Sequence, residues 1–229
     1  DNIVNPEDFS KYWLNKQSAI NKDKKLRFFK THSANCKINN NPFTDNNNTL
    51  GAIYILRDPR NLITSLSNHY QLNLNESLNF MTEEKKALVD RVDNKFNAFV
   101  PIFSWRFHLK SWIQNKSFKI LVIRYEDLTN ETYYTFKKVI GFIDNLANNK
   151  NKFDKEKAKK TIVSCNFENL QNLEKNKGFS EALTKKNSKE KIKFFNLGKK
   201  NNYRKLLNED LINKMNNLFQ EELVKYKYE

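Results

Sequence analysis

The chain has 229 residues and sets 41 Lys+Arg against 26 Asp+Glu, a formal charge of +15 at neutral pH. That length can bury a sizeable core, and 38% hydrophobic with 13% aromatic residues, including 18 Phe, excludes a charge-swollen disordered chain. No apolar run approaches the roughly 20 residues that cross a bilayer. With four Gly, four Pro and no Ser/Gly-rich stretch, nothing reads as an interdomain linker, so a single domain over residues 1–229 is expected.

Asn5 as N-cap and Pro6 at the first helical position open a helix with Phe9, Tyr12 and Trp13 on one face. Residues 26–30 read as a short strand that ends in Lys30-Thr31-His32. The Asn-rich stretches 39–48 and 145–151 read as polar loops. Residues 52–57 (AIYILR) form the near-continuous apolar run of a buried parallel strand. Asp58-Pro59 is a helix start, with Asp58 as cap and Leu62, Ile63 and Leu66 as the apolar face. Residues 103–114 look helical, with Trp105, Leu109 and Trp112 at helical spacing. A second buried strand at 119–125 (KILVIRY) precedes an amphipathic helix at 130–143. Asn208 caps a last helix at 210–226, with Glu209 and Asp210 in its first turn. Strands alternating with helices predict an α/β domain with a parallel sheet flanked by helices. Ligands of such sheets sit at the carboxyl ends of the strands, where the clusters 30–32 and 57–65 both fall.

Arg57 and Ser65 are eight residues apart, so a chain that folds back at Asp58 could bring guanidinium and hydroxyl around one anion near a helix N-terminus. The plainer reading is Arg57 paired with Asp58 or Glu126 and Ser65 on a polar helix face. Lys30 and His32 point to the same side of an extended backbone. Together they suit a transfer reaction in which Lys steadies a departing anion and His takes a proton, although a surface Lys beside a packed His fits the sequence too.

Cys36 and Cys165 are far apart and in no metal-ligand spacing, so a reducing, cytoplasmic setting is expected and no disulfide framework. The three histidines, His32, His69 and His108, form no metal motif, so no metal is expected. His69 and His108 read as packed or exposed helix residues, and the Lys runs at 157–160 and 185–193 as solvated faces. The basic surplus points to an anionic partner, with base-composition bias a competing source of the Asn and Lys excess.

Phe28-Phe29-Lys30-Thr31-His32 and the later Tyr54-Ile55-Leu56-Arg57-Asp58-Pro59, with Ser65 eight positions past Arg57, resemble two signature segments of the PAPS-dependent sulfotransferases, cytosolic type. Further segments follow in the family's order across residues 28–208. Ser104-Trp105 with His108 and Trp112 resembles its Trp/His helix, and residues 121–128 (LVIRYEDL) its Tyr-Glu-Asp strand. Residues 165–170 (CNFENL) resemble its Thr-Ser-Phe-Glu-x-Met segment, and 194–204 (FFNLGKKNNYR) its Phe-x-Arg-Lys-Gly-x-x-Gly-Asp-Trp-Lys motif. The resemblance implies a P-loop-NTPase-like architecture and transfer of a sulfuryl group from PAPS (3′-phosphoadenosine 5′-phosphosulfate) to an acceptor hydroxyl. It implies His32 as general base and Lys30 beside the migrating group. It also implies Arg57, Ser65 and Gly198 at the 3′-phosphate, and Tyr125, Cys165 and Phe167 around the adenine. A small molecule, a lipid or a glycan could be the acceptor.

The sequence departs from that pattern in three places. The family's Pro-Lys-Ser/Thr-Gly-Thr phosphosulfate loop is absent, and with Asp1 in place of a start methionine an N-terminally incomplete domain is expected. Asn196 and Leu197 stand where the family has Arg-Lys, with Lys199 and Lys200 as substitute charges; Cys165 stands for Thr. These departures keep open an inactive nucleotide-binding relative. A basic nucleic-acid-binding module is a further alternative, but no recognised nucleic-acid motif is present and no nucleic-acid partner is expected.

Overall fold

The computed structural model describes residue 3 and residues 5–93, 95–150, 152–185 and 188–228. Residue 151 of the second Asn-rich loop and residues 186–187 of the basic run therefore lie outside the described residues.

A 3-10 segment at Pro6–Tyr12, capped by Asn5 through its bond from Glu7 N (3.1 Å), runs into α1 (Trp13–Ile20). The two-residue strands β1 (Lys37–Ile38) and β2 (Asn41–Pro42) pair in the first Asn-rich loop. Then come β3 (Gly51–Leu56), α2 (Pro59–Tyr70), α3 (Leu74–Thr82) and an antiparallel hairpin of β4 (Ala87–Val92) and β5 (Lys95–Pro101). They are followed by α4 (Trp105–Ile113), β6 (Lys119–Arg124), α5 (Tyr125–Asn130) and α6 (Thr132–Leu146). The rest is helical: α7 (Lys155–Ser164), α8 (Phe167–Lys177), the short α9 (Tyr203–Leu206) and α10 (Glu209–Lys225). β3 and β6 form a parallel pair flanked by helices, the expected α/β class.

Residues 26–30 do not form the expected strand. Leu26, Phe28 and Phe29 are 49%, 69% and 70% exposed, and no strand among the described residues pairs with them. A strand persists only where a neighbour takes up its backbone hydrogen bonds. Here Arg27 turns back instead, donating through both Nη atoms to Asp23 at 2.6 Å.

The chain divides into two compact units, each built from three separate stretches: Asp1–Tyr54, Phe80–Val122 and Phe142–Lys150 in the first, and Ile55–Asn79, Ile123–Gly141 and Asn151–Glu229 in the second. In the first, Trp13 meets Phe43 edge-on (5.4 Å between centroids) and Phe43 meets Trp112 (6.2 Å), and Ala34 and Leu109 are fully buried. Gly51 opens β3 because a Cβ there would stand 2.5 Å from Leu146 Cδ1. In the second unit, Leu211, Met215, Phe219 and Leu223 recur every fourth residue along α10, a single buried stripe. Each fully buried side chain of that size contributes about 1.5–3 kcal/mol relative to exposure.

Candidate active site

In the second unit the site is built where β3 ends and α2 begins. The Asp58 carboxylate accepts Arg60 N (2.9 Å) as N-cap, and Pro59 follows at the first helical position, where a missing N–H costs nothing. This turn folds Arg57 back along α2, and Arg57 Nη1 donates to Ser65 Oγ at 2.9 Å. The guanidinium also lies over the Tyr125 ring, 4.4 Å from its centroid.

Neither carboxylate that the sequence offers to Arg57 pairs with it. Asp58 is taken by Arg60 in a two-armed contact (Nε 3.0 Å, Nη2 2.9 Å), both side chains almost fully buried. Glu126 Oε1 accepts Asp58 N at 3.1 Å. Among the described residues no ion pair reaches Arg57, and its Nε is buried without a hydrogen-bond partner. Burial pushes the guanidinium pKa down, partly offset by Tyr125 and Glu126, yet an Arg keeps its charge at neutral pH. A desolvated cation with an unspent donor is an anion site in waiting.

Gly198 sits in the same unit at φ +54°, and a Cβ on it would lie 2.7 Å from the Phe167 ring. Glycine alone gives both that backbone and that approach. The segment leading to it is gripped from α8: Glu174 accepts Phe194 N (2.6 Å) and Phe195 N (2.9 Å), and Gln171 Nε2 donates to Phe195 O (2.7 Å). Lys199 and Lys200 follow in an exposed 3-10 turn, and Cys165 is an exposed free thiol at the end of α7. His69 packs edge-on against Tyr70 and Phe194.

Lys30 and His32 belong to the first unit, both exposed, just before the chain dives into the core at Ser33 and Ala34. α4 holds the main chain there by three bonds. His108 Nε2 meets His32 O (3.2 Å), Trp112 Nε1 donates to Ser33 O (3.1 Å), and Ser111 Oγ accepts Asn35 N (3.0 Å). A carbonyl can only accept, so His108 carries its proton on Nε2, and Nδ1 accepts from Tyr54 OH at 2.9 Å. Burial lowers the His108 pKa and keeps the ring neutral.

The sulfotransferase-domain family model matches residues 8–227, through every segment just described. The chain belongs to the sulfotransferase family. A comparison with curated proteins finds no match.

For a sulfotransferase donor, the orphaned Arg57 Nε beside the Ser65 hydroxyl fits a phosphate-bearing nucleotide. Among the described residues no cluster of His, Cys, Asp or Glu could hold a metal ion, and no helix is long and apolar enough to cross a membrane. Sequence reasoning gave no role to Asn201, Gln171 or Glu174, which fasten the Gly198 segment, and it read His108 as a packed or exposed residue of a Trp/His helix. A polar residue at a loop position three past a glycine is the one signal that could have flagged Asn201.

Proposed function

We propose that this chain transfers a sulfuryl group from PAPS to a hydroxyl on a small molecule, lipid or glycan, with Arg57 and Ser65 holding the donor's 3′-phosphate. The observation that supports this most is the Arg57–Ser65 pair at 2.9 Å, with a buried, unpaired Nε and no carboxylate to neutralise the guanidinium. When bound, PAPS supplies an activated sulfuryl group on a phosphate leaving group. Arg57 can present two donors to one phosphate, and Ser65 can add its hydroxyl proton. Gly198 brings backbone close to the same phosphate, with Lys199 and Lys200 adding charge nearby. Phe167 and Tyr125 offer faces to the adenine, with Cys165 at its margin. His32 takes the proton from the acceptor hydroxyl, and Lys30 steadies negative charge on the bridging oxygen.

The family match spans residues 8–227, which supports one sulfotransferase domain. The donor's 5′-phosphosulfate needs a further cradle, and residues 1–29 contain no Pro-Lys-Ser/Thr-Gly-Thr segment to provide it. Turnover is therefore to be measured on the chain together with any upstream coding sequence. The expected result for His32→Ala is a loss of roughly a hundred- to ten-thousandfold in sulfuryl transfer, with adenosine 3′,5′-bisphosphate binding unchanged within about twofold. Transfer at the wild-type rate would remove His32 from the chemistry. An inactive nucleotide-binding relative is the second reading, favoured by Asn196 and Leu197 in place of the family's Arg-Lys. It would show binding without transfer in the wild type.

A further inference from the structure

Asn201 lies in the second unit just after the Gly198 turn, and all three of its amide bonds go to α2. Its Nδ2 donates to Asn61 O at 2.9 Å and to Ser65 Oγ at 3.2 Å, while its Oδ1 accepts from Thr64 Oγ1 at 2.7 Å. The Asn61 carbonyl can only accept, which fixes which edge of the amide faces it. Two residues on, Tyr203 N donates to Asn61 Oδ1 at 2.8 Å, so the loop is stitched to α2 at two points.

The consequence falls on Ser65. Its oxygen receives one hydrogen bond from Arg57 Nη1 (2.9 Å) and another from Asn201 Nδ2 (3.2 Å). A hydroxyl oxygen has two lone pairs, and both are now engaged, so its own proton must point away from the two donors. Among the described residues that proton has no acceptor. It is a donor held ready for an anion.

We infer that Asn201 is a positioning residue for 3′-phosphate recognition. It orients the Ser65 hydroxyl as a donor and sets the spacing between the Gly198 turn and the Arg57–Ser65 pair. This rests on the reading of Arg57 and Ser65 given above and deepens it. Asn201 itself need not touch the phosphate, because its amide is spent on α2. Its contribution is selectivity: it favours a nucleotide with a 3′-phosphate over the same nucleotide without one.

Two ligands that differ only in that group, adenosine 3′,5′-bisphosphate and adenosine 5′-monophosphate, are titrated calorimetrically into wild type, Asn201→Ala, Ser65→Ala and the double variant. Expected is a wild type that prefers the bisphosphate, and an Asn201→Ala that loses about tenfold in bisphosphate affinity with the monophosphate unchanged. In the double variant the Asn201 effect disappears, because Ser65 is the group through which it acts. If the wild type prefers the bisphosphate and Asn201→Ala keeps that preference, the inference fails while the phosphate reading stands. An equal loss for both ligands also overturns it, since that is a structural role only. A wild type with no preference overturns the phosphate reading and this inference with it. Should Asn201→Ala not fold, Thr64→Val strips the donor from Asn201 Oδ1, and the same loss of preference is expected in it.

Discussion

His108 shows how much a single tautomer can organise. One ring nitrogen faces the His32 carbonyl and the other a Tyr54 hydroxyl, so the neutral ring satisfies both while escaping the cost of a buried charge. Burial holds the folded pKa below the ordinary value of about 6.5, so the unfolded chain takes up this proton first as pH falls. The stability this contributes is present above about pH 6.5 and is lost as pH falls toward the lower folded value. Urea unfolding at pH 7.5 and pH 5.5 should therefore show a larger acid loss for wild type than for His108→Gln. Equal losses would contradict a buried neutral ring. From sequence, the eight-residue spacing of Arg57 and Ser65 could be converted to proximity, since a cap and a proline fix the intervening turn. No comparable rule connects Asn201 to Ser65 or His108 to His32, because those bonds join segments far apart in the chain and depend on tertiary packing.

Among the elements, those with chemical punctuation were legible. Asp58-Pro59 marks α2, Asn208 marks α10, and the apolar runs mark β3 and β6. The hairpin of β4 and β5 was not. Its turn uses Asp93 at φ +48° with no glycine, and β4 is exposed along its last four residues, so neither turn chemistry nor alternation announces it. The lysine-rich α7 buries only Ala158, too little to leave a helical period. Residues 26–30 failed in the opposite direction, with strand-like composition but no partner to complete the ladder. The Gly198 turn offers an element-level test. Gly198→Ala places a methyl against the Phe167 ring and forces a side-chain residue into the left-handed region, a strain of about 1–2 kcal/mol before the clash is counted. A melting temperature lowered by several degrees and weakened bisphosphate binding are expected, and wild-type values for both would show that the turn tolerates a Cβ.

For the whole molecule, the charge of +15 and the family match across residues 8–227 describe a basic sulfotransferase. Net charge alone attracts any polyanion, so it does not separate a nucleotide enzyme from a nucleic-acid binder. What separates them is whether binding depends on one desolvated guanidinium. Calorimetric titration of adenosine 3′,5′-bisphosphate into wild type and Arg57→Ala tests this most directly. Measurable binding by the wild type and a loss of at least about tenfold in the variant are expected, the weight of a charge-assisted hydrogen bond or two. Undiminished affinity in Arg57→Ala would contradict the assignment of Arg57 to the donor's 3′-phosphate.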